Sequence, residues 1–487
     1  MNNKSLKSKA LNSVAWSVVD RFATSGIQFV LNIIIARLLL PADYGLIAML
    51  AIFIALAQSL VDSGFNVALI QKKNVEEKDL STVFYFNIAS GIVIYATLYF
   101  SSNLIAEFYN IPLLSILAKV IGINILINSL VLVHRTILAK KLDFKKQAII
   151  NIISTIISGG TGITAAFMGY GVWALVIQTL TRNALITILF WSLNTWCPSL
   201  VFSFSSIKSL FRFGSRMLVA GILNVIFDNL YLITIGKFYS AKELGYYSRA
   251  VQFNQFPASS VSSIVQQVFL PIFSKIQDED ERIISAYRRM LKLVAFVMFP
   301  LMICLGAVAK PLILLLLTEK WLPVAPLLQI LVLIGMMYPI HSLNLNLLNV
   351  KGRSDLFLRL EVIKKIFIVI AVIITIPYGL MAVVIGQVII SILGFFLNTY
   401  YTNQIFGYGP FRQIKDFAPY LVLAMIMGLL AYLITTIVSN LALSLLISIT
   451  FSLIFYISIS YFMKSEELKE TINILTKGRL ILARDEK

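Results

Sequence analysis

Apolar residues fill this chain in long runs that are separated by short polar connectors. A helix of roughly 20 apolar residues crosses a hydrocarbon core of ~30 Å, so each run is long enough to span a membrane. The first run is too long for a signal-peptide core and contains Asp20, Arg21 and Gln28, which favours an uncleaved first helix. We therefore predict an all-α polytopic membrane protein with about fourteen transmembrane helices, at about 11–36, 44–70, 81–106, 112–138, 148–169, 171–193, 211–236, 243–272, 286–309, 326–350, 360–376, 380–401, 417–437 and 440–462.

The composition agrees with this interpretation and excludes a large soluble domain. Of 487 residues, 59% are hydrophobic and 13% are charged, whereas about 25% are charged in an average soluble domain. The net charge of +18 follows topology, because most of the 41 lysines and arginines fall in alternate connectors. By the positive-inside rule those connectors and both termini are cytoplasmic, and no nucleic acid is expected as a partner. The opposite connectors carry only five cations, Arg37, Lys237, Lys242, Lys310 and Lys320.

The chain repeats itself at an offset of 200 residues. IIIARLLLPADYGLI at 33–47 aligns with ITIGKFYSAKELGYY at 233–247, so that Arg37 matches Lys237, Asp43 matches Glu243 and Gly45 matches Gly245. Six predicted helices precede residue 205 and six follow it up to about residue 402, as in two transporter halves of parallel topology. The predicted organisation is a six-helix lobe at 1–204, a second at 205–402, two further helices at 403–465 and a cytoplasmic tail at 466–487. The loop tips in the two aligned segments, PADYG and SAKELG, are also compatible with plain turns joining helix pairs.

The first helix carries polar residues on one face. At 100° per residue, the eight polar residues at positions 13–32 fall within an arc of about 140° around the helix. Such a stripe suggests one wall of an aqueous passage between the lobes, since a charge in a membrane usually faces water or a partner. A structural Asp/Arg pair with serines packing two helices is the alternative. The stripe comprises Ser13, Ser17, Asp20, Arg21, Thr24, Ser25, Gln28 and Asn32.

Predicted helices seven and eight also carry polar residues that could line an aqueous passage. Asn224 and Asp228 align with Thr24 and Gln28, whereas alanine and glycine replace the Asp20–Arg21 pair at that offset. On helix eight, one face combines a cation, amides, hydroxyls and an aromatic ring, which suits a phosphate-bearing glycan because guanidinium binds phosphate oxygens in fork geometry. A snorkelling arginine near the outer interface is the alternative. That face comprises Arg249, Gln252, Phe256, Ser260, Ser263 and Gln267.

Asp62 is the charged candidate on helix two. Together with Asp228 it is a candidate for binding a coupling proton or sodium ion, or else it balances an arginine. The chain has two cysteines and two histidines and no nucleotide-binding loop, so we expect no metal site, no other cofactor and no enzymatic activity.

Several segments resemble the polysaccharide-transport branch of the multidrug/oligosaccharidyl-lipid/polysaccharide flippase superfamily, over residues 1 to about 465. The resemblance implies a two-lobed, fourteen-helix transporter of the bacterial plasma membrane with a central cavity. It would move undecaprenyl-diphosphate-linked oligosaccharide to the outer leaflet by ion-coupled alternating access, for O-antigen, capsule or exopolysaccharide synthesis. The segments are ARLLLPADYG, DSGFNVALIQKKN, FRFGSRM, IGKFYSAKELGYYSRA, LPIFSKIQD and LLLLTEKWLPVAPLLQIL.

The resemblance also suggests roles for single residues and for partners. Lipid-flipping relatives carry cavity arginines on helices one and eight, where this chain has Arg21 and Arg249, whereas a further arginine on helix two has no match here. The expected partners are the lipid-linked substrate, membrane lipids and polysaccharide polymerase machinery. On this resemblance, Arg21 and Arg249 would bind diphosphate, Asp20 would orient Arg21, and Gln28, Asn224, Gln252 and Ser260 would contact substrate. A multidrug antiporter or a membrane glycan polymerase are the alternatives.

Overall fold

The computed structural model describes residues 3–62, 64–72 and 74–477, and within them all regular structure is helical. Nineteen α-helices follow one another along this part of the chain. They are α1 (Asn3–Leu38), α2 (Pro41–Asp62), α3 (Phe65–Gln71), α4 (Glu77–Tyr109), α5 (Leu113–Ser129), α6 (Leu132–Lys140), α7 (Phe144–Phe167), α8 (Val172–Leu193), α9 (Phe204–Asp228), α10 (Leu230–Phe238), α11 (Ala241–Phe273), α12 (Asp280–Ala307), α13 (Ala309–Leu316), α14 (Val324–Val350), α15 (Ser354–Thr375), α16 (Leu380–Phe406), α17 (Pro410–Ile437), α18 (Leu441–Phe462) and α19 (Glu466–Lys477).

The predicted all-α membrane fold is confirmed, and every predicted span coincides with a helix or a pair of helices. Among the described residues, ten helices are long and apolar enough to cross a membrane, or twelve if two bent pairs each count as one span. The predicted count of fourteen is not confirmed. The two remaining segments, α11 and α15, are helical where predicted, but charged and amide side chains dilute their apolar surface; α15 carries Arg359, Glu361 and Lys364.

Three predicted helices are broken. The second predicted helix, 44–70, splits at Gly64 into α2 and α3. The φ of Gly64 is 70°, in the left-handed region that glycine adopts without steric cost. The fourth bends by 41° between α5 and α6, and the seventh by 42° between α9 and α10. At the α9–α10 break, the Asn229 side chain donates to the carbonyl of Val225 at 2.8 Å, and the Asn229 backbone N–H donates to the same carbonyl at 3.2 Å.

The chain forms two compact units, Met1–Gly245 and Tyr246–Lys487, and the predicted lobe boundaries at 204 and 402 stay predictions. In the first unit, α1 packs along α7 over most of its length. Glycines make this close approach possible, because a Cβ at Gly159 would lie 2.2 Å from Leu31 and one at Gly162 would lie 3.2 Å from Ile35. α1 is therefore anchored along one side.

In the second unit, α12 packs along α14 and α17, and α14 packs along α16. A carboxylate on α17 ties two of these helices together: Asp416 accepts two hydrogen bonds from the Arg288 guanidinium of α12, at 2.8 and 3.0 Å. The Tyr408 hydroxyl donates to the same carboxylate at 2.6 Å. The α12–α17 pair is thus held by a charge-assisted network at one end.

The 200-residue repeat is visible in the local structure. α1 ends at Leu38 and α10 ends at Phe238, and α2 and α11 begin at Pro41 and Ala241. The acidic residue of each tip reaches back to a backbone N–H before its helix: Asp43 accepts from Leu40 at 2.8 Å and Glu243 from Ser240 at 3.1 Å. This capping explains why both tips carry a carboxylate at that place.

The glycines of the two tips make a reciprocal contact within the first unit. A Cβ built on Gly45 would lie 1.7 Å from the carbonyl oxygen of Ala241, and one on Gly245 would lie 1.8 Å from that of Pro41. Position 41 is equivalent to 241, and 45 to 245, so each repeat presents the same atoms to the other. The tips are therefore more than turns. We call the four residues Pro41, Gly45, Ala241 and Gly245 the glycine contact.

Candidate functional site

The polar stripe of α1 divides into two faces. Ser17, Arg21 and Ser25 are exposed on the surface of the protein, whereas Asp20 and Thr24 are partly covered. Gln28 and Asn32 are also partly covered, and the side chain of Ser13 lies outside the described residues. The prediction of one continuous polar wall is therefore too broad, because helical periodicity does not show which half of the stripe the neighbouring helix covers.

Asp20 belongs to the covered half of the stripe. Its carboxylate accepts hydrogen bonds from the amide of Asn151 on α7, at 3.0 and 3.2 Å, and from the Thr24 hydroxyl at 3.0 Å. Arg21 is exposed and makes no ion pair with a described carboxylate. The expectation that Asp20 orients Arg21 stays a prediction, and consecutive residues project about 100° apart on a helix. Arg21 is left available to a ligand.

Asp20 interacts with a further arginine, which in turn interacts with another, and sequence reasoning chose neither. Arg182 on α8 is partly buried and interacts electrostatically with Asp20. Arg135 on α6 interacts with Arg182 as a like charge, and its guanidinium lies 5.8 Å from the centre of the Phe190 ring. Neither arginine has a carboxylate within ion-pair distance in the described segments, and the Nε of Arg182 is buried without a hydrogen bond. An arginine in mid-span was the available signal for Arg182.

Both ion-coupling candidates lie at helix breaks. Asp62 is the last residue of α2 and accepts a hydrogen bond of 2.6 Å from Asn66 of α3. Asn66 in turn accepts one of 2.8 Å from the Thr136 hydroxyl of α6. Asp228 is the last residue of α9 and is exposed, as is Asn224 one turn earlier. Interrupted helices of this kind form substrate and ion sites in many transporters, since the break frees backbone groups.

The polar face of α11 belongs to the second unit. Arg249 is partly buried and donates to the side chain of Gln252, three residues later on the same helix. The Ser260 hydroxyl donates to the carbonyl of Phe256 at 2.7 Å, so it is engaged with its own helix. The side chain of Gln267 lies outside the described residues. Arg249 and Gln252 thus form a preassembled polar pair, whereas Ser260 is a weaker candidate for substrate contact.

Comparison with known proteins assigns the chain to a family. Residues 34–326 match the family described as polysaccharide biosynthesis protein. The chain belongs to this family. It is 31% identical to the teichuronic acid biosynthesis protein TuaB of Bacillus subtilis, covering 72% of this chain and 73% of TuaB. It is 27% identical to the lipopolysaccharide biosynthesis protein WzxC of Escherichia coli, covering 81% of each chain.

Solved structures define the fold of this family member. The lipid II flippase MurJ in an inward closed conformation superimposes with a TM-score of 0.73 at 19% identity, covering 93% of this chain and all of MurJ. An inward-facing multidrug resistance transporter of the MATE family, in the MOP superfamily, gives a TM-score of 0.61 at 14% identity, covering 80% of this chain and 98% of the transporter. The resemblance to a polysaccharide-transport family is therefore confirmed at the level of the family, and the chain shares its fold with these two solved structures.

Proposed function

We propose that this protein flips an undecaprenyl-diphosphate-linked oligosaccharide from the inner to the outer leaflet of the bacterial plasma membrane. The product would serve synthesis of a surface polysaccharide such as O-antigen, capsule or exopolysaccharide. TuaB and WzxC support this proposal, because they are proteins of teichuronic acid and lipopolysaccharide biosynthesis. The succinoglycan biosynthesis transport protein ExoT of Rhizobium meliloti supports it as well. It is 26% identical to this chain, covering 66% of this chain and 65% of ExoT. Both termini would lie on the cytoplasmic side, a proposal supported by the positive charge of the connectors.

One observation carries the proposal: unbalanced positive charge lies among membrane-spanning helices of the first unit. Arg21, Arg135 and Arg182 lie on α1, α6 and α8 of this unit; Arg182 interacts electrostatically with Asp20, and none of the three forms an ion pair with a described acidic residue. A charge in mid-membrane costs about 2.5–3.5 kcal/mol and is ordinarily paired. A diphosphate supplies the missing negative charge, and guanidinium binds its oxygens in fork geometry. An organic cation would be repelled here.

Arg249 and Gln252 provide a comparable polar pair in the second unit, as the resemblance implied for helix eight. Arg249 would also bind the diphosphate, and Gln28, Asn224 and Gln252 would contact glycan hydroxyls. Those hydroxyls require hydrogen-bond partners, because an unmade bond costs roughly 1–3 kcal/mol. Polymerase machinery on the outer side would then consume the product.

The amount of surface glycan on cells that carry arginine variants tests whether these arginines act in transport. We expect Arg21→Gln, Arg182→Gln and Arg249→Gln to lower surface glycan about tenfold or more at equal protein level, since a hydrogen bond to a charged group is worth roughly 1.5–3 kcal/mol. Lys119→Gln is the control, because this intramembrane cation of the first unit lies 4.9 Å from the Tyr99 ring and outside the arginine group. Normal glycan in all three arginine variants would refute the assignment.

Lipids that co-purify with the protein in mild detergent identify the substrate class independently of the cellular assay. We expect mass spectrometry to detect a polyprenyl-diphosphate sugar bound to the wild-type protein and depleted in Arg21→Gln. Drug efflux without any such lipid would instead favour a multidrug antiporter, and formation of glycosidic bonds by the purified protein would favour a polymerase.

Ion coupling would use Asp62, with Asp228 as the second candidate. Asp62 joins three helices at the α2–α3 break through Asn66 and Thr136, so binding of a proton or sodium ion there would alter how those helices pack. We expect Asp62→Asn to make transport in vesicles insensitive to an imposed proton or sodium gradient. A gradient response equal to that of the wild type would exclude Asp62 as the coupling site.

A further inference from the structure

A cavity of about 630 Å³ opens between the beginning of α15 and the end of α16 in the second unit. Two guanidinium groups, Arg353 and Arg359, line it together with the polar side chains of Tyr400, Tyr401 and Gln404. Its volume lies in the range of about 300–1,000 Å³ that is typical of small-molecule sites. It is made of none of the residues assigned above to the substrate.

The charges in this cavity are only partly balanced. Arg353 forms a bidentate pair with Asp355, through Nε at 3.0 Å and Nη2 at 2.9 Å. Because that guanidinium donates to the Asp355 carboxylate, the pKa of Asp355 is held below its usual value and the pair remains charged at neutral pH. Arg359 is exposed and has no carboxylate within ion-pair distance among the described residues. The cavity therefore keeps a net positive charge.

The position of the cavity indicates the origin of an anion. The connector before α15 and the end of α16 lie on the side that the lysine and arginine distribution predicts to be cytoplasmic. Tyr400 is 61% exposed, as is usual for aromatic rings at the level of lipid headgroups. Basic pockets between spanning helices on the cytoplasmic side are suited to anionic headgroups, and the apolar walls of the same helices continue toward the acyl chains.

We propose that this cavity binds the phosphate of an anionic phospholipid from the cytoplasmic leaflet. Arg359 supplies the uncompensated charge, and the free Nη1 of Arg353 and the amide of Gln404 supply further donors. The bound headgroup would tether the ends of α15 and α16 to each other. The site is independent of the proposed glycan transport, because a bulk membrane lipid occupies it.

Native mass spectrometry of the purified full-length protein tests this site, with phosphatidylglycerol and phosphatidylethanolamine as probes. Each arginine near an anionic surface contributes ~1 kcal/mol, or about fivefold in affinity. We expect Arg359→Gln to weaken phosphatidylglycerol binding about fivefold and Arg353→Gln with Arg359→Gln to weaken it more, with little effect on phosphatidylethanolamine. Arg359→Lys, which keeps the charge, should retain most of the affinity and shows that a loss in Arg359→Gln is not misfolding.

Lys415→Gln with Lys469→Gln is the matched control, because both lysines are exposed, lie in the same unit on the predicted cytoplasmic side, and are absent from the cavity lining. Equal lipid binding in the arginine variants and this control would overturn the proposal. Displacement of the lipid by millimolar inorganic phosphate would assign the cavity to a free anion instead. Binding of an undecaprenyl phosphate tenfold tighter than phosphatidylglycerol would assign it to the substrate carrier.

Discussion

Replacing either glycine of the glycine contact by alanine should open the junction between the two repeats. A Cβ essentially never lies closer than 3.0 Å to another heavy atom. The Cβ of Gly45→Ala would lie 1.3 Å inside that limit, and the Cβ of Gly245→Ala would lie 1.2 Å inside it. The obstructing atoms are backbone carbonyl oxygens, which cannot move aside as a flexible side chain does. Overpacking of this kind costs about 1–3 kcal/mol, and we expect values in the upper part of that range.

The cost falls only on states in which the contact is closed. Under alternating access, 1–3 kcal/mol would shift the balance between closed and open states by roughly 5–150-fold. We therefore expect each alanine variant to unfold at lower temperature in detergent and to give less surface glycan at equal protein level. Because a single separation of the helix starts relieves both clashes, the double variant should cost about 1 kcal/mol less than the sum of the single variants.

Two helical glycines of the same unit provide the control. A Cβ on Gly26 of α1 or on Gly160 of α7 meets no atom within 4 Å. Alanine at these positions should be neutral or stabilise the protein by about 0.5–1 kcal/mol, since glycine is the poorer helix former. If Gly45→Ala and Gly245→Ala unfold at the same temperature as Gly160→Ala, or if their costs simply add, the reciprocal contact does not restrain the helices as described.

Two further predictions concern carboxylates. Asp416→Ala removes the acceptor of both Arg288 hydrogen bonds and should lower the free energy of unfolding of the second unit by about 1.5–3 kcal/mol, measured by thermal unfolding. Asp355→Ala, which breaks a fully exposed pair, should lower it much less, because solvent screens such a pair, and equal losses would contradict this order. Asp20→Asn should loosen the contact of α1 with α7, because the amide loses the negative charge and one of the two oxygens that accept from Asn151; cross-linking between cysteines placed on these helices should decrease, and an unchanged yield would disprove that role.

Most of the fold could be predicted from the sequence because helix formation in a membrane depends on local properties. An apolar run must satisfy its own backbone hydrogen bonds, so length and hydropathy locate a helix without knowledge of its neighbours. The breaks at Gly64 and Asn229 escaped this reasoning, since the runs on either side are equally apolar and read as one span. The turn chemistry of Asp43 and Gly45 predicted that a helix begins there, but only the packed structure shows that Gly45 serves close contact.

The candidate site was harder to predict because charge compensation is a property of several helices at once. Periodicity correctly groups Asp20 with Thr24 on α1, yet it is silent about Asn151, which lies 131 residues away and takes up both carboxylate oxygens. Arg182 then interacts with a carboxylate that is already hydrogen-bonded to Asn151, and Arg135 interacts with Arg182 as a like charge. The deficit arises from packing and appears in no single segment. It follows that a ligand carrying two phosphates balances the group better than one carrying a single charge, and that the affinity of the first unit should rise from a monophosphate to a diphosphate carrier.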